Sequence, residues 1–446
     1  MRRLVGMLIF LVVFPAVLLG FAWAAYLAAG ALAGVAVGWG LPADYGAAVA
    51  NLVFLMLVFL MIASSGLTIG ERKWSAMMQN RIGPNRIRVF GNPLGGMPYL
   101  VADALKMLTK ENIEPAQRSK LLYELAPVVA FAPAFALFAV VPVGPEAVVL
   151  GQRVSLQVFN PDVGLLYVFA IASLAVFGTA LAGWASNNKL AILGGVRASS
   201  QMISYEVSLG LSLVGAMMAY GTLRLDQMSV RQGELLWGWL PALGLVVQPL
   251  GLVLFFVSAF AETKRAPFDL PEGESEIVGY FVEYPGMKFG MMMLSEFIEI
   301  VVLAGVVTAV FLGGWHPVLF EGWLRANLGP VAFAAVSAAA FLGKTMLLAW
   351  LQLVIRWTLP RFRFDQIQKL CWKMMLPAAL VNVFVTGALV LLDGSLETLA
   401  AVGLVEIAVL VGITAASSRA APAPEGHGHG DAHGDAHAAP AHAAGH

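Results

Sequence analysis

Six carboxylates fall within the 27 positions of AETKRAPFDLPEGESEIVGYFVEYPGM, residues 261–287: Glu262, Asp269, Glu272, Glu274, Glu276 and Glu283. The whole chain of 446 residues has only 27 acidic side chains, so this loop concentrates what the rest dilutes. Glu272, Glu274 and Glu276 alternate, and like charges this close repel until some of them hold protons near neutral pH. A segment that only reconnects two apolar runs needs turn chemistry and solubility. This one exceeds that need, and the surplus suits proton handling.

More charge lies inside the apolar runs themselves. Glu206, in ISYEVSLG, sits about eight residues into its run, roughly 12 Å at the helical rise. Glu296, in LSEFIEI, lies at similar depth from the same side, and Glu299 follows one turn later on the same face. Glu262 closes the run before the loop, and Lys344 lies near the middle of another. Ionised groups are expensive there, so each must bind a proton readily or face a wet cavity. One such charge reads as a structural pair, whereas four in one bundle favour a polar path. No nucleophile stands beside a base, and His316, alone on the outer side, reads as loop decoration.

The elements that position these groups follow from composition. Apolar residues make up 59% of the chain and mean hydropathy is +0.80. Ten runs, near 4–30, 49–70, 121–142, 163–185, 198–221, 241–262, 287–313, 332–355, 372–392 and 397–416, are long enough for a helix to cross about 30 Å of hydrocarbon. Backbone groups must satisfy one another there, so the fold class is all-α, a polytopic transmembrane bundle. Arg2 and Arg3 before the first run resemble a secretory signal, but residues 4–39 carry no charge, which favours a retained helix.

Twenty-two Lys and Arg side chains fall in segments on one side of this topology. Arg153, Arg224, Arg231 and Arg325 fall on the other. The bias places both ends and the acidic loop in the cytoplasm. On that side, residues 71–120 open with Glu71, Arg72 and Lys73 and pass through the turn-rich QNRIGPNRIRVFGNPLGG. From Pro98 an amphipathic helix is expected, with Met97, Leu100, Val101, Ala104 and Leu108 on one side and Asp103, Lys106 and Lys110 on the other. It reads either as an inert surface helix or, with Arg72, Arg81, Arg86 and Asp103 gathered beside it, as a ligand-entry lip in the interface.

Other classes are excluded or weakened. The single Cys371 leaves no cysteine-ligated iron–sulfur cluster or zinc site within the chain. Zero formal net charge with dispersed basic residues gives no nucleic-acid surface. No repeat suggests a transporter of inverted halves. Residues 417–446, with six of the seven histidines, read as a solvated disordered tail, divalent-metal binding being the alternative.

Several long segments, in order, resemble a family of membrane subunits of bacterial respiratory complex I, the one called subunit 1 in mitochondria. They are GERKWSAMMQNRIGPNR (70–86), ADALKMLTKE (102–111), GWASNNKLAILGGVRASSQMISYEVSLG (183–210), AETKRAPFDLPEGESEIVGYFVEY (261–284), PRFRFDQ (360–366) and WKMMLP (372–377). The resemblance covers a core domain, 49–392, of eight spans with the acidic loop at 262–286. A first helix within 1–40, a last one at 397–416 and the tail at 417–446 stand outside it and are expected to be dispensable for quinone chemistry. Two residues depart from the family pattern: Phe297, where a tyrosine is common, and Glu299, at a position not acidic in the family.

The resemblance implies a subunit of a proton-translocating NADH:quinone oxidoreductase, multi-pass in a bacterial inner membrane and not catalytic alone. It would form the quinone chamber and its entrance, with quinone as substrate and with flavin and iron–sulfur clusters in partner subunits. The partners implied are peripheral-arm subunits with iron–sulfur clusters, a quinone-site subunit, small membrane subunits and antiporter-like subunits. Glu71, Glu206, Glu262 and Glu296 would carry protons or charge in the membrane. Asp269, Glu272, Glu274, Glu276 and Glu283 would form an acidic funnel, and Lys344 extends the polar path. Arg72, Arg81, Arg86, Asp103, Lys106, Arg197, Arg265, Arg356 and Arg361 would line the chamber or balance charge. Competing readings are a related complex driven by ferredoxin, reduced deazaflavin or hydrogen, a stand-alone ion channel or transporter, and a structural anchor.

Overall fold

The computed structural model describes residues 2–88, 94–272, 277–317 and 321–420. Glu274 and Glu276 of the acidic loop, and the histidine-rich tail, lie outside the described residues. In chain order the helices are α1 (Arg2–Gly38), α2 (Ala43–Met78), α3 (Pro98–Thr109), α4 (Lys120–Val140), α5 (Gly164–Ala185), α6 (Lys189–Tyr220) and α7 (Leu225–Arg231). They continue as α8 (Gly244–Val247), α9 (Pro249–Glu262), α10 (Gly286–Phe311), α11 (Glu321–Asn327), α12 (Pro330–Thr358), α13 (Phe364–Leu392) and α14 (Leu396–Ala420). Among the described residues, nine helices are long and apolar enough to cross a membrane. The fold is the polytopic helical bundle expected.

The axis of the bundle is α10. In its most apolar window 94% of the residues are buried, as a helix that is apolar all round requires. Its Val, Ile and Ala side chains join the main core with Phe59, Phe138, Phe311 and Phe341. The outward faces of α1, α13 and α14 remain apolar and exposed, with Leu391, Leu392, Val405 and Val411 among them. In a membrane these faces meet lipid.

One expected span is not continuous. The run 241–262 folds as a two-residue strand ending at Pro241, the single turn α8, a break at Gln248 (φ −142°, ψ 61°) and the 14-residue α9. Pro249 is the cause: it lacks an N–H and disfavours helical backbone in the residue before it. At 1.5 Å per residue α9 covers only about 21 Å, too little to span alone.

Two further features lie at the end of the bundle opposite the acidic loop. Between α4 and α5 the chain forms an antiparallel hairpin, β1 (Gly144–Val149) with β2 (Gln152–Leu156), turning at Leu150 and Gly151 in left-handed backbone. Asn51 of α2 ties it down, its Nδ2 donating to the carbonyls of Ser155 (2.8 Å) and Gln157 (2.9 Å). The first helix also packs against the core here. Tyr26 is buried and donates to Pro145 O at 2.7 Å. A Cβ on Gly46 would stand 2.1 Å from Leu32 O, so α1 and α2 touch backbone to backbone.

Candidate functional site

The acidic loop folds back over the end of the bundle where α2, α9, α10 and α12 converge, and Arg265 is its anchor. One Arg265 nitrogen lies 2.6 Å from Glu71 of α2, and another lies 3.7 Å from Glu296 of α10. Its guanidinium carbon sits 3.8 Å from the centroid of the Phe297 ring. The phenylalanine that departs from the family pattern thus acts as a cation–π floor for this arginine. Glu71 also receives Arg356 of α12 at 2.6 Å. The hydroxyl absent at position 297 comes from elsewhere: Tyr280, fully buried in the loop, donates to Glu296 at 3.2 Å.

A second pair lies one helical turn along α10. Lys264 Nζ stands 3.5 Å from Glu299, both side chains almost wholly buried. Glu262, at the end of α9, is buried with one carboxylate oxygen lacking a hydrogen-bond partner. Nearer the surface, Arg361 pairs with Asp269 at 2.7 Å, and the Glu272 N–H donates to Asp269 at 3.2 Å. Among the described residues, Glu262, Asp269, Glu272, Glu296 and Glu299 gather with Lys264, Arg265, Arg356 and Arg361, while Glu71 belongs both to this set and to the arginine-lined cavity beside it. In the loop, burial first, then Glu296 and Asp269, push the Glu272 carboxyl up to about 8. Burial also raises Asp269, against the pull of Arg361 and Arg356.

Beside this cluster opens a cavity of about 480 Å³ lined by Glu71, Arg72, Arg81, Arg86, Tyr99 and Trp357. Its rim is α3, which begins at Pro98 as its sequence predicts. Met97, Val101, Leu105 and Leu108 stand outward and exposed, while Asp103 turns inward to Arg72 at 2.6 Å. The cavity therefore has a charged wall of Glu71, Arg72, Arg81 and Arg86, and the apolar face of α3 stands exposed beside it.

Not every expected residue joins the cluster. Glu206, half-buried on α6, makes no ion pair among the described residues, though it is within electrostatic reach of Glu262. Glu283 accepts from Asn188 at 2.6 Å at the edge of the loop, and Lys106 is exposed on α3. Arg197 is half-buried on α6. Lys344 is at the far end of the bundle, its Nζ donating to the carbonyls of Leu312, Gly314 and His316 at 2.8–3.0 Å. It closes the carbonyl end of α10 and is remote from the carboxylates it was grouped with. His316 is not loop decoration: it holds Glu321 at 3.0 Å and completes that cap. Among the described residues, no three His, Cys, Asp or Glu side chains gather to hold a metal ion.

Sequence reasoning passed over two participants. Tyr280 and Lys264 sit in the quoted loop, but only the fold shows which acids they meet.

A bundle of apolar helices long enough to cross a membrane, with an acid–base cluster beside a charged cavity, is a polytopic membrane protein built to hold charge in its interior. The family description NADH dehydrogenase matches residues 50–387, and the chain belongs to that family. Relatives named as the H subunit of NADH-quinone oxidoreductase include one from Geobacter metallireducens, 43% identical over 344 residues, 77% of this chain and 96% of that protein. One from Anoxybacillus flavithermus is 42% identical over 335 residues, 75% of this chain and 91% of its own length. One from Cytophaga hutchinsonii is 40% identical over 326 residues, 73% and 91% respectively. The family match leaves α1 and α14 outside it.

Proposed function

We propose that the chain is the membrane subunit that forms the quinone chamber of a proton-translocating NADH:quinone oxidoreductase and links quinone reduction to proton movement. The observation that carries this reading is Arg265, which contacts both Glu71 on the cavity wall and Glu296 in the buried set. Cavity and carboxylates share one cation, so a change of charge in the first alters the balance in the second. Quinone reduction takes two electrons and calls for two protons, in a space with little water. Negative charge arising there draws Arg265 and Arg356 toward the cavity and away from the carboxylates they balance, and favours proton uptake by the loop carboxyl Glu272. Glu296, Glu299, Glu262 and Glu206 then form a series along which that shift can pass into the bundle.

In this reading α3 frames the entrance for a quinone from the bilayer, and Arg72, Arg81 and Arg86 meet its polar head. Flavin and iron–sulfur clusters belong to partner subunits of a peripheral arm, and small and antiporter-like subunits adjoin the bundle. Both termini and the acidic loop face the cytoplasm. Purification of the tagged chain from its membrane tests this. Companions carrying flavin and iron–sulfur centres, with NADH:quinone turnover in the assembly alone, are the expected result. Ion flux through the lone chain in liposomes would instead support a channel or transporter.

A further inference from the structure

Arg265 uses only part of its hydrogen-bonding capacity. One terminal nitrogen donates to Glu71 at 2.6 Å, and the other stands 3.7 Å from Glu296, beyond hydrogen-bond reach. The Phe297 ring supports the guanidinium from its face and offers no hydrogen bond that would fix its rotation. The Arg265 Nε–H is buried and meets no acceptor among the described residues. Gln352 of α12 is 2% exposed, and both Nε2 and Oε1 of its amide are unpartnered among the described residues as well. The two side chains line one narrow gap between α9, α10 and α12, closed by Phe260, Ile300 and Leu353. That gap has no room for a water molecule.

Buried polar atoms without partners are uncommon and cost stability. Here a free donor and a free acceptor share one dry gap, so each can supply what the other lacks once the guanidinium turns. Gln352 stands one turn before Arg356 on the same face of α12, and Arg356 holds Glu71 at 2.6 Å. Glu296 is on α10, across the gap from both. We propose that Gln352 is a positioning residue: its amide oxygen accepts the Arg265 Nε–H when negative charge in the cavity draws the arginine off Glu296. Seated there, Arg265 is held toward Glu71 and α12, and Glu296 keeps Tyr280 but loses its cation. This role rests on the coupling of cavity to carboxylates proposed above, and names the group that holds Arg265 in its shifted position.

Gln352→Leu removes both amide atoms. Because the amide is unpaired in the resting arrangement, the assembled variant should melt at or above the parent's temperature. Its kcat for coupled quinone turnover should nevertheless fall about 3- to 10-fold, with KM changed less than about twofold, since Gln352 does not line the cavity. In a Glu296→Gln background, Gln352→Leu should change turnover by less than about twofold, because the carboxylate that Arg265 leaves no longer titrates. Parental kcat in assembled Gln352→Leu overturns the proposal, as do effects that multiply in the double variant. A lowered melting temperature also overturns it, since the amide would then be a bond of the resting fold. If Gln352→Leu does not assemble, Gln352→Met, closer in shape, takes its place in each test, and failure of both to assemble overturns the proposal. Should Glu296→Gln itself be silent, the carboxylate reading fails. If Glu296→Gln is severe while Gln352→Leu is silent, only the role of Gln352 fails.

Discussion

Tyr280 donates its phenolic hydrogen to Glu296 at 3.2 Å, across sixteen residues of chain that carry it from the acidic loop to the axis of the bundle. The hydroxyl that position 297 does not supply therefore reaches the same carboxylate by another route. Tyr280→Phe should leave assembly intact and lower quinone turnover roughly 3- to 10-fold. Adding Phe297→Tyr should restore part of the loss, because it returns a hydroxyl beside Glu296. No loss in Tyr280→Phe would show that the bond is incidental.

The loop carboxyl of Glu272 should titrate where the cell works. Burial and the neighbouring Glu296 and Asp269 raise it to about 8, so it is protonated below that pH and ionised above it. Difference infrared spectra of the assembled complex should show a carboxylic acid C=O band lost as pH rises through about 8. The band should be absent in Glu272→Gln. A band that persists in the variant belongs to another residue.

Arg265 neutralises two buried acids at once, so removing it leaves both short of charge. Breaking a buried ion pair costs about 3–5 kcal/mol, most of it from the partner left unpaired. Arg265→Gln should sharply reduce assembled complex and its melting temperature, and adding Glu296→Gln should recover part of both. An Arg265→Gln complex as stable as the parent would contradict the pairing.

The helical spans were legible in the sequence because hydropathy alone decides them, and the apolar lip of α3 followed from its periodicity. The break before α9 was written in Pro249, but an unbroken apolar run hid it. Tyr280 with Glu296 and Lys264 with Glu299 were not legible, since each joins elements set side by side only by packing. Lys344 misled for the same reason: its depth showed that it needed partners, and the three carbonyls that provide them lie 28 to 32 residues away.

The entrance makes a separate claim about substrate length. Ala102 and Ala104 lie on α3 among the outward apolar residues and the inward Asp103. Replacing either by Trp should raise the apparent KM for long-tailed quinones more than for short soluble analogues. Equal changes for both would make α3 a surface element only.

The central claim is that Glu206, Glu262 and Glu296, from three helices, carry protons as one set. Glu→Gln keeps shape and hydrogen-bonding capacity but removes titration, and Glu→Asp keeps titration on a shorter arm. Each Gln change should strongly reduce coupled quinone reduction and each Asp change less, with double Gln variants well short of the product of the singles. The deciding measurement is NADH:quinone turnover with membrane potential in assembled variants, artificial-acceptor activity serving as the assembly control. Strong loss in the Gln variants with that control unchanged is the expected result. Parental turnover and potential in all three would make the set structural and contradict the proposed coupling.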